Sequence, residues 1–262
     1  MAKIVVSRDG TRIAYEVSGH GPALILVDGA FCYREFGPMR KLAAELAGDF
    51  RVIIYDRRAR GASGTTRPYA IEREIEDIHA LILAAGGRAH LYGISSGAAL
   101  ALAATAASLP VIKLALYEAP FMVGPQAREL PDDRNVVLQK MVDEGRHGDA
   151  VKYYLSDIIG VPRVVPFVFQ ILPMWKKLKS VAPSLPYDCA VMGDFKLPMT
   201  RAASITVPTL ALEGGSTMPV LRGVAKIIAE AIPGARHQTL VGQTHNVKAG
   251  VIGPVLREFF KT

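Results

Sequence analysis

The pentapeptide Gly-Ile-Ser-Ser-Gly at residues 93–97 constrains the fold of this chain more than any other feature. A short apolar run at 89–92 precedes it and is typical of a buried strand. The alanine- and leucine-rich stretch 98–107 that follows favours a helix. Strand, glycine turn and helix together predict a sharp, strained turn that exposes the hydroxyl of Ser95. The two glycines leave room for neighbouring backbone, and the helix N-terminus offers amides to a negative charge.

The bulk composition limits the class of protein. A length of 262 residues suits one large α/β domain with an insertion, and half of the residues are hydrophobic, as in globular proteins. No apolar run approaches the ~18 residues of a membrane helix, and the first residues lack the apolar core of a secretory signal. Two cysteines, Cys32 and Cys189, give no disulfide framework. We therefore expect a cytoplasmic protein without a membrane partner.

The net charge of +7 raises the question of a nucleic-acid partner. The basic residues are dispersed, apart from clusters at 57–60 and 176–179, and no aromatic side chains are interleaved with either cluster. A surface that stacks bases needs such aromatic residues. We therefore predict a solvated basic surface and no nucleic-acid partner, whereas the oligomeric state is not readable from the sequence.

Short apolar runs alternate with helical patterns along most of the chain. This order predicts an α/β fold in which a mostly parallel central sheet of about eight strands carries helices on both faces. The predicted strands cover residues 4–6, 12–17, 23–27, 51–55, 89–92, 112–117, 209–213 and 238–241.

Residues 121–203 interrupt that alternation. The segment contains helical stretches, several prolines and many apolar side chains. We predict that it forms a helical cap inserted into a core built from residues 1–120 and 204–262, with an additional helical layer that binds no ligand as the alternative. A cap would give the turn at Ser95 an apolar roof and exclude water. The candidate residues of such a substrate pocket are Phe31, Phe121, Phe167 and Trp175.

Three further motifs follow strands of the predicted sheet. Asp-Gly-Ala at 28–30 follows the third strand, Asp-Arg-Arg-Ala-Arg-Gly-Ala-Ser-Gly at 56–64 the fourth, and Gly-Gln-Thr-His at 242–245 the last. With the pentapeptide and the order of elements, they resemble the α/β-hydrolase fold superfamily, in its serine hydrolase branch with a helical cap. The resemblance covers essentially the whole chain, and it implies a nucleophile elbow at Ser95.

The resemblance also implies a catalytic triad. Ser95 takes the place of the nucleophile and His245 that of the base, since a free serine hydroxyl needs a neighbouring base. Family members mostly carry an aspartate after the strand 209–213, but Glu213 is the only acid there, at the strand end. Glu118 occupies an alternative position that some members use, just after the preceding strand. We predict the triad Ser95, His245 and Glu118, with Glu213, or no functional acid, as alternatives.

The oxyanion hole implied by the family pattern consists of two backbone amides, those of Ala30 and Ser96, with Phe31 in place of Ala30 as the alternative. Asp28 stands where the family usually has a histidine. A carboxylate aimed at an oxyanion would oppose catalysis by Coulomb repulsion. We therefore predict that Asp28 points away and is bound by backbone amides or by Arg34.

These residues predict a serine hydrolase that cleaves a small or medium apolar ester or lactone through an acyl-enzyme on Ser95. Two alternatives remain: non-hydrolytic or C–C bond chemistry, such as a lyase or cyclisation reaction in a biosynthetic pathway, and a ligand-binding protein with little turnover. The histidines lack the spacing of a zinc site, and no phosphate-binding glycine loop is present. We expect no metal and no other cofactor.

Overall fold

The computed structural model describes residues 2–124, 127 and 129–262, which contain eight strands and eleven α-helices. The strands are β1 (Lys3–Val6), β2 (Arg12–Ser18), β3 (Ala23–Val27), β4 (Arg51–Tyr55), β5 (Ala89–Ile94), β6 (Val111–Tyr117), β7 (Thr209–Gly214) and β8 (Arg236–Leu240). The helices are α1 (Met39–Leu46), α2 (Ile71–Ala84), α3 (Ser96–Ala106), α4 (Arg134–Asp143), α5 (His147–Tyr153), α6 (Val164–Phe169), α7 (Met174–Val181), α8 (Leu185–Met192), α9 (Met199–Ala203), α10 (Val224–Ala231) and α11 (Ala249–Lys261). Within these described ranges, no helix has both the length and the apolar character that crossing a bilayer requires.

The eight strands form one sheet in the order β1-β2-β4-β3-β5-β6-β7-β8. β1 and β2 are antiparallel to their neighbours, whereas β3 to β8 run parallel. The predicted α/β fold is confirmed, and each predicted strand is present. β3 and β5 are buried along their whole length, because strands at the centre of a covered parallel sheet face packed helices on both sides.

Helices cover both faces of this sheet. α1 and α11 pack on one face, and α2, α3 and α10 pack on the other. α3 is rich in alanine, and nearly all of its residues are buried, so its backbone approaches the sheet closely. Because β3 and β5 to β8 run parallel, the turns that follow them meet at one edge of the sheet, where ligands gather in such folds.

The insertion between β6 and β7 is helical. Pro125, Gln126 and Arg128, which belong to the predicted cap, lie outside the described residues. α8 packs against α3 and α4. The inserted helices therefore contact α3, the helix that follows Ser95. The proline-rich pattern concealed α7 and α8, because Pro173 directly precedes α7 and Pro186 lies in the first turn of α8. Proline is tolerated there, since those backbone N–H groups have no helical partner. The cap boundaries 121–203 stay a prediction.

Candidate active site

The turn between β5 and α3 has the sharp geometry that the glycine pattern predicts. Ser95 has φ 56° and ψ −132°, a conformation that strains a residue with a side chain. A Cβ atom added to Gly97 would lie 2.3 Å from the carbonyl oxygen of Val27, and one added to Gly93 would lie 2.4 Å from the carbonyl oxygen of Gly97. Only glycine fits at these two positions, and Ser95 therefore sits at a bend with its backbone fixed on both sides.

Glu118 and His245 are in direct contact. The Glu118 Oε2 atom lies 2.7 Å from His245 Nδ1, and Glu118 Oε1 accepts a hydrogen bond of 2.8 Å from the amide of Gly214. The Glu118 side chain is 0% exposed, and its backbone has φ 46°, at the point where β6 ends. Both carboxylate oxygens are thus held in place, and the imidazole, 31% exposed, is oriented by a buried acid.

Glu213, the alternative acid, faces other partners. Its carboxylate accepts hydrogen bonds from the amide of Gly223 and from the Thr239 hydroxyl, and it lies 3.3 Å from Nε2 of His237. Thr239 and His237 lie on β8, and Gly223 directly precedes α10. The structure therefore pairs His245 with Glu118 and not with Glu213.

Tyr117 connects the turn at Ser95 with Thr244, the residue before His245. Its carbonyl oxygen accepts a hydrogen bond of 3.0 Å from the amide of Ser95, and its hydroxyl donates a hydrogen bond of 2.6 Å to the carbonyl of Thr244. Across the described residues, no hydrogen bond joins the Ser95 hydroxyl to the His245 imidazole. The two contacts of Tyr117 nonetheless place both residues at the same edge of the sheet. Glu118 engages Nδ1 of His245, which leaves Nε2 free of that contact.

The turn after β3 lies against Ser95. A Cβ atom added to Gly29 would be 2.9 Å from Cβ and 3.4 Å from Oγ of Ser95. In the described part of the chain, the backbone N–H groups of Ala30, Phe31 and Ser96 donate to no protein acceptor. Free amides beside a serine hydroxyl are what an oxyanion hole requires, and the choice between Ala30 and Phe31 stays open.

Asp28 is buried beneath this turn. Its Oδ1 atom accepts a hydrogen bond of 2.9 Å from the amide of Gly29, as predicted, whereas Arg34 contacts Glu16 and Asp56 instead. Burial raises the pKa of Asp28 to about 7, although the Gly29 amide and the neighbouring arginines act in the opposite direction. Of the two alternatives predicted for Asp28, backbone amides or Arg34, the structure shows the first, because the Arg34 guanidinium binds Glu16 on β2 and Asp56 after β4.

Replacing Asp28 with asparagine is expected to remove a pH-dependent loss of stability. The carboxyl has a pKa of about 7 when folded and an ordinary value of 3.8, so folding binds a proton between these pH values. Wild-type stability therefore falls as pH rises from about 4 to 7, by on the order of 4 kcal/mol in all. The side-chain amide of D28N cannot ionise, so the variant should be the more stable protein above pH 7.

Denaturant unfolding of both proteins at pH 5 and pH 8.5 measures this effect. The free energy of unfolding of D28N, minus that of the wild type, should be more positive at pH 8.5 than at pH 5. Asp132→Asn, which removes an exposed carboxylate, controls for the change in net charge. An identical pH dependence in the wild type and D28N would contradict the account of Asp28.

A cavity of about 810 Å³ borders His245. It lies between the segment 32–42 and the start of α11, and its wall is mostly apolar. The apolar lining residues are Phe36, Pro38, Met39, Leu42, Tyr92, Ile94, Val247 and Ile252. None of these was predicted, because they come from separate parts of the chain that only the folded sheet brings together.

The four predicted pocket residues lie elsewhere. Phe31 and Phe121 are buried, and Phe31 packs edge-on against Tyr154 of the insertion. Phe167 is 71% exposed on α6, so it roofs no closed chamber in this structure. Trp175 lines a shallow surface depression together with Arg146, His147, Lys152, Lys176 and Lys179. Their assignment to the substrate pocket stays a prediction.

Asp188 is a further polar residue near the elbow, and the sequence pattern did not single it out. It is fully buried on α8 and accepts a hydrogen bond of 2.7 Å from the hydroxyl of Ser96, the residue after Ser95. One feature of the sequence could have identified it: Asp188 is the one charged residue of the otherwise apolar helix Leu185–Met192. A lone charge in an apolar helix indicates a buried partner.

Comparison with known proteins identifies the family of this chain. A family model described as the alpha/beta hydrolase family matches residues 17–247. The crystal structure of an alpha/beta hydrolase from Sphaerobacter thermophilus DSM 20745 is 48% identical in sequence, with a TM-score of 0.92 over 98% of this chain and 100% of that chain. The chain therefore belongs to the alpha/beta hydrolase family.

Two other matches are weaker. The enol-lactonase from Burkholderia xenovorans LB400 is 22% identical, with a TM-score of 0.72 over 99% of this chain and 100% of that chain, which is a likeness of fold alone. The uncharacterized hydrolase YraK of Bacillus subtilis is 32% identical over 97 residues, which make up 36% of this chain. That match spans 35% of the length of YraK.

Proposed function

We propose that this protein is a serine hydrolase that cleaves an apolar ester or lactone through an acyl-enzyme formed on Ser95. The observation that carries the proposal is the 2.7 Å contact between Glu118 Oε2 and His245 Nδ1, at the sheet edge where the strained elbow presents Ser95. Membership of the alpha/beta hydrolase family supports the same reaction class.

The first chemical step is the attack of Ser95 on the substrate carbonyl. His245 Nε2 takes the proton from the serine hydroxyl as the Oγ–C bond forms. Glu118 accepts a hydrogen bond from Nδ1–H, which fixes the tautomer and stabilises the imidazolium. The serine must approach Nε2 as substrate binds, and hydrogen bonds of this kind commonly tighten only in the substrate complex.

The negative charge on the tetrahedral intermediate needs donors. The amide of Ser96, at the start of α3, and an amide of Ala30 or Phe31 supply them in this proposal. His245 then gives its proton to the leaving alkoxide, and the acyl-enzyme remains on Ser95. Water, deprotonated by His245, attacks the acyl carbon and releases the acid, which restores the serine hydroxyl.

The substrate class follows from the surroundings of His245. The cavity of about 810 Å³ has a mainly apolar wall, which favours an apolar acyl or alcohol group of moderate size. A lactone is a cyclic ester and reacts by the same two steps. The fold likeness to an enol-lactonase is compatible with this choice. The helical insertion, as a cap, would limit the access of bulk water to the acyl-enzyme.

The two other functions receive less support. Lyase or C–C bond chemistry would be favoured if Asp28 faced the cavity, but Asp28 is buried and its Oδ1 atom accepts a hydrogen bond from the amide of Gly29. A histidine without an acid beside it would favour a binding protein with little turnover, but His245 contacts Glu118. These contacts therefore favour the hydrolase.

Labelling with a fluorophosphonate tests the proposal. The probe should form a covalent adduct with the native protein, and tryptic digestion should place it in the peptide 89–113, which contains Ser95, Ser96 and Ser108. Fragmentation of that peptide should assign the adduct to Ser95. Denatured protein is the control, since labelling depends on the folded relay. An unlabelled native protein, or a label spread over several serines, would refute the assignment.

A further inference from the structure

A buried ionic cluster lies directly beneath the elbow and the turn after β3. It consists of Arg57, Arg60, Glu74, Ser96 and Asp188, and we refer to it as the Asp188 cluster. Asp188 uses both of its oxygens. Its Oδ1 atom accepts hydrogen bonds from the Ser96 hydroxyl at 2.7 Å and from Arg57 Nη1 at 2.8 Å, and its Oδ2 atom accepts one of 2.6 Å from Arg60 Nη2.

The two arginines also hold the turn after β3. Arg60 Nη1 donates to the carbonyl oxygen of Gly29 at 2.5 Å and to that of Cys32 at 3.1 Å. Arg57 Nη1 donates to the carbonyl oxygen of Asp28 at 3.3 Å. The carbonyls on both sides of the free amides of residues 30 and 31 are therefore bound by guanidinium groups that Asp188 orients.

The charges of the Asp188 cluster balance. Glu74 pairs with Arg57 at 2.7 Å, so two guanidinium groups face two carboxylates in a site without exposed side chains. Burial raises the pKa of Asp188, but Arg60, Arg57 and the Ser96 hydroxyl outweigh burial and hold that pKa below its ordinary value. A charged, fully bonded carboxylate of this kind adds little net stability, but it specifies geometry.

We propose that Asp188 is a positioning residue for catalysis, which keeps the two halves of the oxyanion hole in register. One half, Ser96, is bound by Asp188 directly, and the other half, the turn 28–32, is bound through Arg57 and Arg60. This inference rests on the proposed function, because it assumes an oxyanion hole at those amides. Asp188 belongs to the insertion, so the inserted helices contribute to the precision of the site as well as to its cover.

A second buried ion pair of the same chemistry serves as a control. Arg58 pairs with Asp77 at 2.6 Å and also with Asp9, and both Arg58 and Asp77 are buried. Arg58 donates further to Ser7 and to the carbonyl of Arg73, and none of these contacts involves the turn 28–32 or Ser96. Asp77→Asn therefore removes a comparable buried charge without disturbing the proposed oxyanion hole.

The test compares the steady-state kinetics of Asp188→Asn and Asp77→Asn with those of the wild type on a p-nitrophenyl ester. D188N should lower kcat about 10- to 100-fold while KM stays within about 3-fold, because displaced donors weaken binding of the transition state more than binding of substrate. The affinity for a trifluoromethyl ketone, which forms an oxyanion on the serine, should fall by a similar factor. D77N should keep kcat within about 2-fold of the wild type.

The outcomes separate the possibilities. A D188N protein with wild-type kcat, or with the same loss as D77N, overturns the proposal, since Asp188 would then be a structural residue only. If D188N does not fold, Ser96→Ala takes its place, because it removes only the hydroxyl that donates to Asp188. A loss of kcat of about 3-fold or more in S96A at unchanged KM supports the proposal, and an unchanged kcat overturns it. A wild type that neither labels nor turns over esters would refute the proposed function itself.

Discussion

Replacing Ser95 with alanine is expected to lower kcat for a p-nitrophenyl ester on the order of 10⁶-fold. Without the hydroxyl no acyl-enzyme forms, so the oxyanion amides and substrate binding alone must provide any remaining acceleration. Ser95 is only partly buried and its Oγ has no partner among the described residues, so the folded state should tolerate the missing oxygen. Alanine and serine both carry a Cβ atom, so alanine should adopt the φ of 56° at about the same strain as serine.

Steady-state kinetics and covalent labelling check this prediction together. Ser204→Ala is the matched control, because it removes another serine hydroxyl whose bond goes only to the carbonyl of Arg201. The control should keep full activity, and S95A should unfold at nearly the wild-type temperature. Turnover by S95A above a few thousandths of the wild-type rate would show that another residue, or a different reaction, accounts for the activity.

Replacing Glu118 with glutamine is expected to lower kcat about 10³- to 10⁴-fold. The side-chain amide of the E118Q variant keeps the shape of the carboxylate and can still accept the hydrogen bond from Gly214. The side-chain NH2 group of glutamine then faces His245 Nδ1 and donates to it, so the proton of the neutral imidazole lies on Nε2. Nε2 is the atom that should accept the proton of Ser95, and in this tautomer it cannot. The imidazolium of the transition state also loses its negative partner.

Glu213→Gln is the matched control for this change. Glu213 lies at the end of the adjacent strand and contacts His237 and Thr239, so its loss should alter kcat less than about 3-fold. The pair of variants discriminates between the two acids that the sequence left as alternatives. A severe loss in E213Q with an active E118Q would reverse the assignment of the triad acid.

The parts of the site that follow from local sequence were predictable. The turn at Ser95 requires glycine at positions 93 and 97 for steric reasons, and the pattern of an apolar run, glycines and an alanine-rich helix is local. The order of strands was equally readable, since each buried strand is a short apolar run. Glu118 did not follow from local sequence alone: it was predicted because the family resemblance implies an acid just after β6, and the structure brings it to His245.

The parts that depend on distant contacts were not predictable. Asp188 lies 131 residues from Arg57 in the chain, and nothing in either segment identifies its partner. The cavity beside His245 is likewise built from three segments that meet only after the sheet forms. The aromatic residues of the insertion were grouped by composition, but Phe167 and Trp175 point to different surroundings, because composition carries no information on helix orientation.

The Asp188 cluster has a consequence for engineering. Exchanging the inserted helices for those of a relative, in order to change substrate preference, would delete a buried anion that compensates Arg57 and Arg60 in the parent scaffold. Uncompensated guanidinium groups in the interior are strongly destabilising, so such chimeras would misfold for an electrostatic reason unrelated to their new pocket. The conflict is avoided if the introduced helices carry an acid at the position of Asp188. It is also avoided if Arg57 and Arg60 are both replaced in the protein that receives those helices.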